Sequence, residues 1–286
     1  MTTPTAADRA AVRAAALAAL LAACSRAPAD SAAPALTLPS PDPSCTTIFG
    51  RPSAATGLSE AACVPRIDGE TDWRPTEWAP ADFAALRAWS LDDPPAPPVE
   101  DPWSQSPAPV AQDGVCTAIP TAPGRYRLAT LPDAEAARAA GGQVTHGGAC
   151  GLCSSLADLA VYAENNDLTA PGRACGLAGI TGGIDAADAC FQALGFTPPC
   201  ARIWAWNAAH TREACFDLCI EAAADPYNTP DGGLNPCLQC DEDESGPVFL
   251  AVAGRTRRNS GLANAMCRRC DLVWRVHHDP RLGAGD

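Results

Sequence analysis

The stretch Val144-Thr145-His146-Gly147-Gly148-Ala149-Cys150-Gly151-Leu152-Cys153-Ser154-Ser155 holds the densest set of reactive side chains in the sequence. A glycine-rich turn there would deliver Cys150 and Cys153 into the first turn of a helix, where unpaired N–H groups and the helix dipole stabilise a thiolate. Two chemistries suit that arrangement: nucleophilic attack by Cys153, or thiol–disulfide exchange between Cys150 and Cys153, with His146 or His277 carrying the proton. The reading that asks least of these residues makes both sulfurs members of a disulfide framework and lets the glycines merely permit a tight turn.

A second constellation is the arginine island Gly254-Arg255-Thr256-Arg257-Arg258-Asn259-Ser260-Gly261, set in an otherwise acidic chain. Guanidinium groups beside a helix start capped by Asn259 or Ser260 would recognise carboxylate, sulfate or phosphate by paired hydrogen bonds. Arg255, Arg257, Arg258 and Asn259 are therefore candidate residues for a small anionic ligand, placed near the His146 to Cys153 turn. The plainer alternative has the arginines bridging to carboxylates such as those of residues 241 to 244. Metal sites can also be drawn. Cys237/Cys240 with Cys267/Cys270 would make a four-thiolate zinc site, and convergence of His146, His277 and His278 would suit copper or zinc. Asp241-Glu242-Asp243-Glu244-Ser245-Gly246 copies the first half of a calcium loop, but Val252 stands where the bidentate Glu belongs, so a solvated turn is the first reading. None of these patterns specifies a cofactor.

Composition removes other classes. The 286 residues carry a net charge of −13, and every basic residue is arginine. Without lysine there is no Schiff-base enzyme and no phosphate-loop ATPase. The acidic balance argues against nucleic acid as a partner, since that affinity rests on neutralising phosphates.

Two local resemblances add expectations. Arg9 and Arg13, the apolar run Ala14 to Ala23, and Leu21-Ala22-Ala23-Cys24 together resemble the signal peptide and lipobox of bacterial lipoproteins. That resemblance implies cleavage before Cys24, lipidation of its sulfur, and membrane contact through lipid in the cell envelope, at the outer membrane or facing the periplasm. The eight residues around Cys150 and Cys153 resemble the papain-family motif, in which the first cysteine is bridged and the second attacks. By that match Cys153 is the nucleophile of a thiol-dependent hydrolase. Gly147 stands where that family has its oxyanion-hole glutamine, and Ser154 replaces its aromatic.

The elements around these residues follow from pattern. Fifteen cysteines less Cys24 leave an even fourteen, which fits an exported, disulfide-stapled protein. Residues 1–24 read as the signal peptide. Residues 25–112 are proline-rich and acidic and read as a tether, with a candidate Cys45–Cys63 loop. Trp73, Trp78 and the run Phe83, Leu86, Trp89 give that tether a sticky part, expected to pack on the main domain, with a protein partner in the envelope as its other use. Residues 113–286 form the cysteine-rich globular domain. Helices are expected from Pro132 to Gly141, after Ser155, from Asp185 to Gly195, and over Ile203 to Ala223. Val248 to Ala253 and Leu272 to Val276 read as short strands. The fold class is α+β, mainly helical with a small sheet. For function, an exported, lipid-anchored domain that binds a small anion leads, with enzymatic activity left open. The rivals are a non-catalytic structural or interaction module and a thiol enzyme at Cys150/Cys153.

Overall fold

Pro123-Gly124 turns the chain back on itself and creates the central hairpin. Proline presets the first turn position and Gly124 takes φ +71° at the second, as this turn requires. The computed structural model describes residues 46–67, 74–105 and 113–282. The signal-like segment with Cys24, and also Cys45 and Trp73, lie outside the described residues. In chain order the first elements are β1 (Ile48–Phe49), β2 (Cys63–Val64), α1 (Pro80–Ala88), β3 (Ser90–Leu91), β4 (Val115–Ala122) and β5 (Arg125–Leu131). α2 (Ala134–Ala139), β6 (Gln143–Gly147), α3 (Leu156–Glu164), α4 (Thr169–Ala193) and α5 (Pro198–Glu221) follow. The chain continues through α6 (Pro236–Cys240), a π-helical turn (Asp241–Ser245), α7 (Gly246–Ala253), β7 (Arg268–Arg269) and a 3-10 turn (Cys270–Leu272).

The four-stranded sheet runs β3-β5-β4-β6, with β4 antiparallel to both neighbours and β3 parallel to β5. A small second sheet, β2-β1-β7, pairs β1 with the C-terminal Arg268 and Arg269. The fold is thus mixed α+β, mainly helical and disulfide-rich, with small sheets. Residues 46–67 and 74–105 do more than tether: they supply β1 to β3 and α1, and Leu86, Trp78, Phe83, Trp89 and Trp103 pack against the main core.

Helix ends follow their caps. Asp133 accepts the Ala136 N–H at the start of α2, and Ser155 accepts the Asp158 N–H at the start of α3. Asp158, itself buried, takes hydrogen bonds from the Thr197 N–H and hydroxyl, both at 2.8 Å, and so ties α3 to the start of α5. Burial holds its carboxyl above the usual range, against those hydrogen bonds. The expected helix over Asp185 to Gly195 is the second half of α4. Gly183, at φ 70° and ψ −171°, breaks that element into two helices, which Cys175–Cys190 clamps together. Two expected strands are absent. Val248 to Ala253 lies in α7, because Pro247 opens a helix and Gly254, at φ 72°, closes it, and a short apolar run has no period to tell helix from strand. Leu272 to Val276 leaves the 3-10 turn as irregular chain.

The main core joins Leu156, Leu159, Phe191, Phe196 and Ile203 with an aromatic cluster around Trp204, whose ring lies 4.5 Å from that of Phe249. Disulfides staple its edges: Cys116–Cys150, Cys153–Cys200, Cys215–Cys240 and Cys219–Cys237. Cys63 bonds Cys267 instead of closing a loop with Cys45, and Cys270 is also disulfide-bonded. The bonds between α5 and α6 follow from Cys215 and Cys219 standing one turn apart, facing Cys240 and Cys237.

Candidate functional site

The glycine-rich turn is a structural knot, and the structure corrects each chemical role expected of it. Cys150 is joined to Cys116 and Cys153 to Cys200, so no thiolate is present and the two do not exchange with each other. The N–H groups of Gly147, Gly148, Leu152 and Cys153 are spent on backbone carbonyls. Those of Cys150 and Gly151 are spent on the Thr130 and Ser154 hydroxyls, so these donors make no oxyanion hole. The glycines serve close approach: a Cβ on Gly147 would meet the Trp274 ring at 2.1 Å, and one on Gly151 the Val252 carbonyl at 2.5 Å.

His146 is fully buried. Its Nδ1–H donates to the Gly147 carbonyl, and its Nε2 accepts from the Ser154 hydroxyl at 2.7 Å. Burial first, and Arg255 second, push its pKa well down, so it is a neutral structural imidazole rather than a proton carrier or ligand. His278 is also buried, with Nε2–H donating to the Ser260 carbonyl, while His277 is exposed. The histidines do not assemble: among the described residues no group of three or more His, Cys, Asp or Glu is placed to hold a metal ion. Cys237, Cys240, Cys267 and Cys270 are all disulfide-bonded, which removes the zinc site.

The arginine island divides. Arg255 is wholly enclosed: Nε donates to the Cys153 carbonyl, Nη1 to the Thr145 carbonyl and the Ser260 hydroxyl, and Nη2 to the Ser154 carbonyl. It caps the carbonyls of the glycine-rich turn from inside the fold. Burial pulls its pKa down to about 10. Asn259 is likewise internal, accepting the Thr256 N–H and donating to the Gly147 and Gly254 carbonyls. Both were candidate ligand residues, and both instead hold the island against the turn.

Arg257 and Arg258 line instead a cavity of about 120 Å³ between the start of α4, the π-helical turn and the island. Arg258 and Arg268 clamp the two oxygens of Glu242, the bridging to the 241–244 carboxylates that the plainer reading expects. Burial raises the Glu242 carboxyl, but Arg268 and Arg258 outweigh it and hold it below its ordinary value. The half calcium loop is therefore a π-helical turn in which Glu242 faces guanidinium groups. Beside it Asp241 accepts from Asn207 and Thr211, and burial raises its carboxyl.

Arg257 differs from its neighbours. It donates to the Asn165 carbonyl and lies over the Tyr162 ring, 5.7 Å from its centroid. No carboxylate stands within ion-pair reach of it among the described residues. Burial lowers its pKa to about 10, against the fields of Tyr162 and Asp167. Asn264, only 9% exposed, lines the same cavity; its Oδ1 accepts the Met266 N–H, while its Nδ2 meets no acceptor among the described residues. The cavity thus presents one cation without an ion-pair partner among the described residues and one unused pair of amide donors, which suits an anion that also carries an acceptor. Asn166, Asp167, Asn207, Asn264 and Arg268 were not singled out from sequence. Scattered asparagines carry no spacing signal, and the helix expected to start at Asn259 or Ser260 is absent, because residues 254–267 are turns and irregular chain.

Residues 184–276 match the model of DUF8771, described as a family of unknown function. The match takes in Arg257, Arg258, Asn264 and Arg268 and excludes the glycine-rich turn. No curated protein and no solved structure matches the chain.

Proposed function

We propose that this chain is an exported envelope protein, lipid-anchored through Cys24, whose disulfide-stapled domain binds a small anion in the cavity at Arg257. The observation that carries the ligand reading is Arg257 itself, a partly buried guanidinium in a cavity wall with no carboxylate in ion-pair reach among the described residues. Such a cation is costly to hold unless something neutralises it. In a chain of net charge −13 the long-range field does not draw anions in, so recognition has to be local. The many disulfides place the domain in an oxidising environment outside the cytoplasm, in keeping with export.

Titration calorimetry with acetate and with succinate tests the site. Arg257→Gln should weaken binding at least about tenfold, and equal heats for both proteins would remove Arg257 from the role. Metabolic labelling with palmitate tests the anchor: label should be lost in Cys24→Ser. A second reading, a non-catalytic interaction module, is favoured by exposed apolar side chains on α4 and α5, Leu177 at 65%, Ile220 at 62% and Phe216 at 48%. Phe216 and Ile220 stand one turn apart on α5 and so share a face.

A further inference from the structure

Asn166 lines two cavities at once. One is the cavity at Arg257; the other, of about 310 Å³, is walled by Trp78 and Phe83, with Arg51, Thr76 and Glu164 supplying polar edges. Trp78 stacks on Phe83 with ring centroids 6.0 Å apart, which fixes the aromatic wall. The two cavities are held together by the backbone as well: the Arg51 N–H donates to the Asn264 carbonyl, and the Asn166 amide donates to the Arg51 carbonyl at 3.0 Å. A ligand filling only the smaller cavity would leave the larger one empty.

At the junction the unused hydrogen-bonding groups come in complementary kinds. Asn264 Nδ2 has free donors. Asn166, exposed, spends its Nδ2 on Arg51, and its Oδ1 takes no donor among the described residues. One free donor and one free acceptor match the C=O and N–H of a single peptide group. On one side of that junction stands the Arg257 guanidinium, which holds the Asn165 carbonyl and has no ion-pair partner among the described residues, and whose remaining donors suit a carboxylate. On the other stands an aromatic wall.

Resting on the anion-binding reading above, we propose that the ligand is the free carboxyl end of a peptide. Arg257 takes the terminal carboxylate, Asn264 and Asn166 hold the last peptide group, and the preceding side chain lies in the larger cavity against Trp78 and Phe83. Capture of a chain terminus by a fixed cation, with pockets for neighbouring side chains, is a general mode of peptide recognition. An inorganic anion or a free short carboxylate would use Arg257 alone.

Calorimetry on the full chain with three probes decides it: N-acetyl-Phe-Ala as the free acid, the same dipeptide as its C-terminal amide, and acetate. The free acid should bind at least about tenfold more tightly than acetate or the amide. Trp78→Ala should remove about tenfold from the acid while leaving acetate unchanged, Trp78→Phe should restore most of that loss, and Asn264→Ala should weaken the acid about tenfold. Arg257→Gln should weaken both. Thermal melts of the variants, kept within a few degrees of the parent, separate binding from folding. Acid and acetate of equal affinity, both dependent on Arg257, would overturn the peptide proposal and leave the anion site standing. No binding of any probe would remove both.

Discussion

His278 shows how a single buried group sets a pH dependence. Its Nε2–H is satisfied by the Ser260 carbonyl at 2.8 Å, while Nδ1 is buried without a partner among the described residues. Burial, aided by Arg255 and opposed by the bond to Ser260, brings its pKa from 6.5 down to about 3. The unfolded chain therefore takes up a proton near pH 6.5 that the folded chain refuses. Stability from the neutral imidazole is complete above that value and is lost as pH falls toward about 3, at about 1.4 kcal/mol per pH unit. His146, shifted in the same direction by burial, steepens the loss. Urea denaturation between about pH 6 and about pH 4 should show this slope, and His278→Gln should reduce it by about one proton. If the two proteins have the same slope, another group carries the effect. Nothing in the sequence distinguishes His278 from exposed His277: two adjacent imidazoles read alike, and only the fold assigns one to the interior.

Among the elements, α4 depends most on one residue. Gly183 at φ 70° and ψ −171° occupies a region that side chains avoid, yet a Cβ there would meet nothing within 4 Å. Gly183→Ala should therefore cost about 1–3 kcal/mol through backbone strain alone, read as a lower midpoint in thermal unfolding. An unchanged midpoint would mean that the break tolerates a side chain. The sequence announced the second half of α4 through its acidic start and Gly195, and announced α3 through Ser155 and Asp158, because caps are local chemistry. It did not announce the first half of α4, where Pro171 and the glycines at 172, 176, 179 and 182 contradict helix propensity. Tertiary packing overrides that propensity: a Cβ on Gly176 would come within 3.5 Å of the Ala208 Cβ on α5. The candidate site was legible to a similar extent. An arginine island follows from residue type and spacing. Which of its arginines faces a cavity depends on Arg255 being drawn inward by three carbonyls, of Cys153, Thr145 and Ser154, that lie far away in sequence.

For the whole molecule, cysteine parity pointed to a crosslinked fold, but position along the chain misassigned Cys63. Its bond to Cys267 spans 204 residues, so among the described residues it closes the largest disulfide loop and joins residues 46–67 to the chain just before β7. Loop-closure entropy alone puts its contribution at about 5 kcal/mol, less where the small core of Phe49, Ile67, Cys270 and Val273 already holds the segment. The bond also governs the cavity. Asn264 precedes Cys267 by three residues, its carbonyl is held by the Arg51 N–H, and Arg268 follows directly in sequence. Releasing the bond loosens the wall that carries Asn264 and Arg268 more than it loosens the main core, whose own disulfides are separate. The double variant Cys63→Ala, Cys267→Ala should therefore remain folded by circular dichroism, expose residues 46–67 to limited proteolysis, and bind anions at least about tenfold more weakly. Retained anion affinity in a variant whose N-terminal segment is cut would show that the cavity at Arg257 is built without that crosslink.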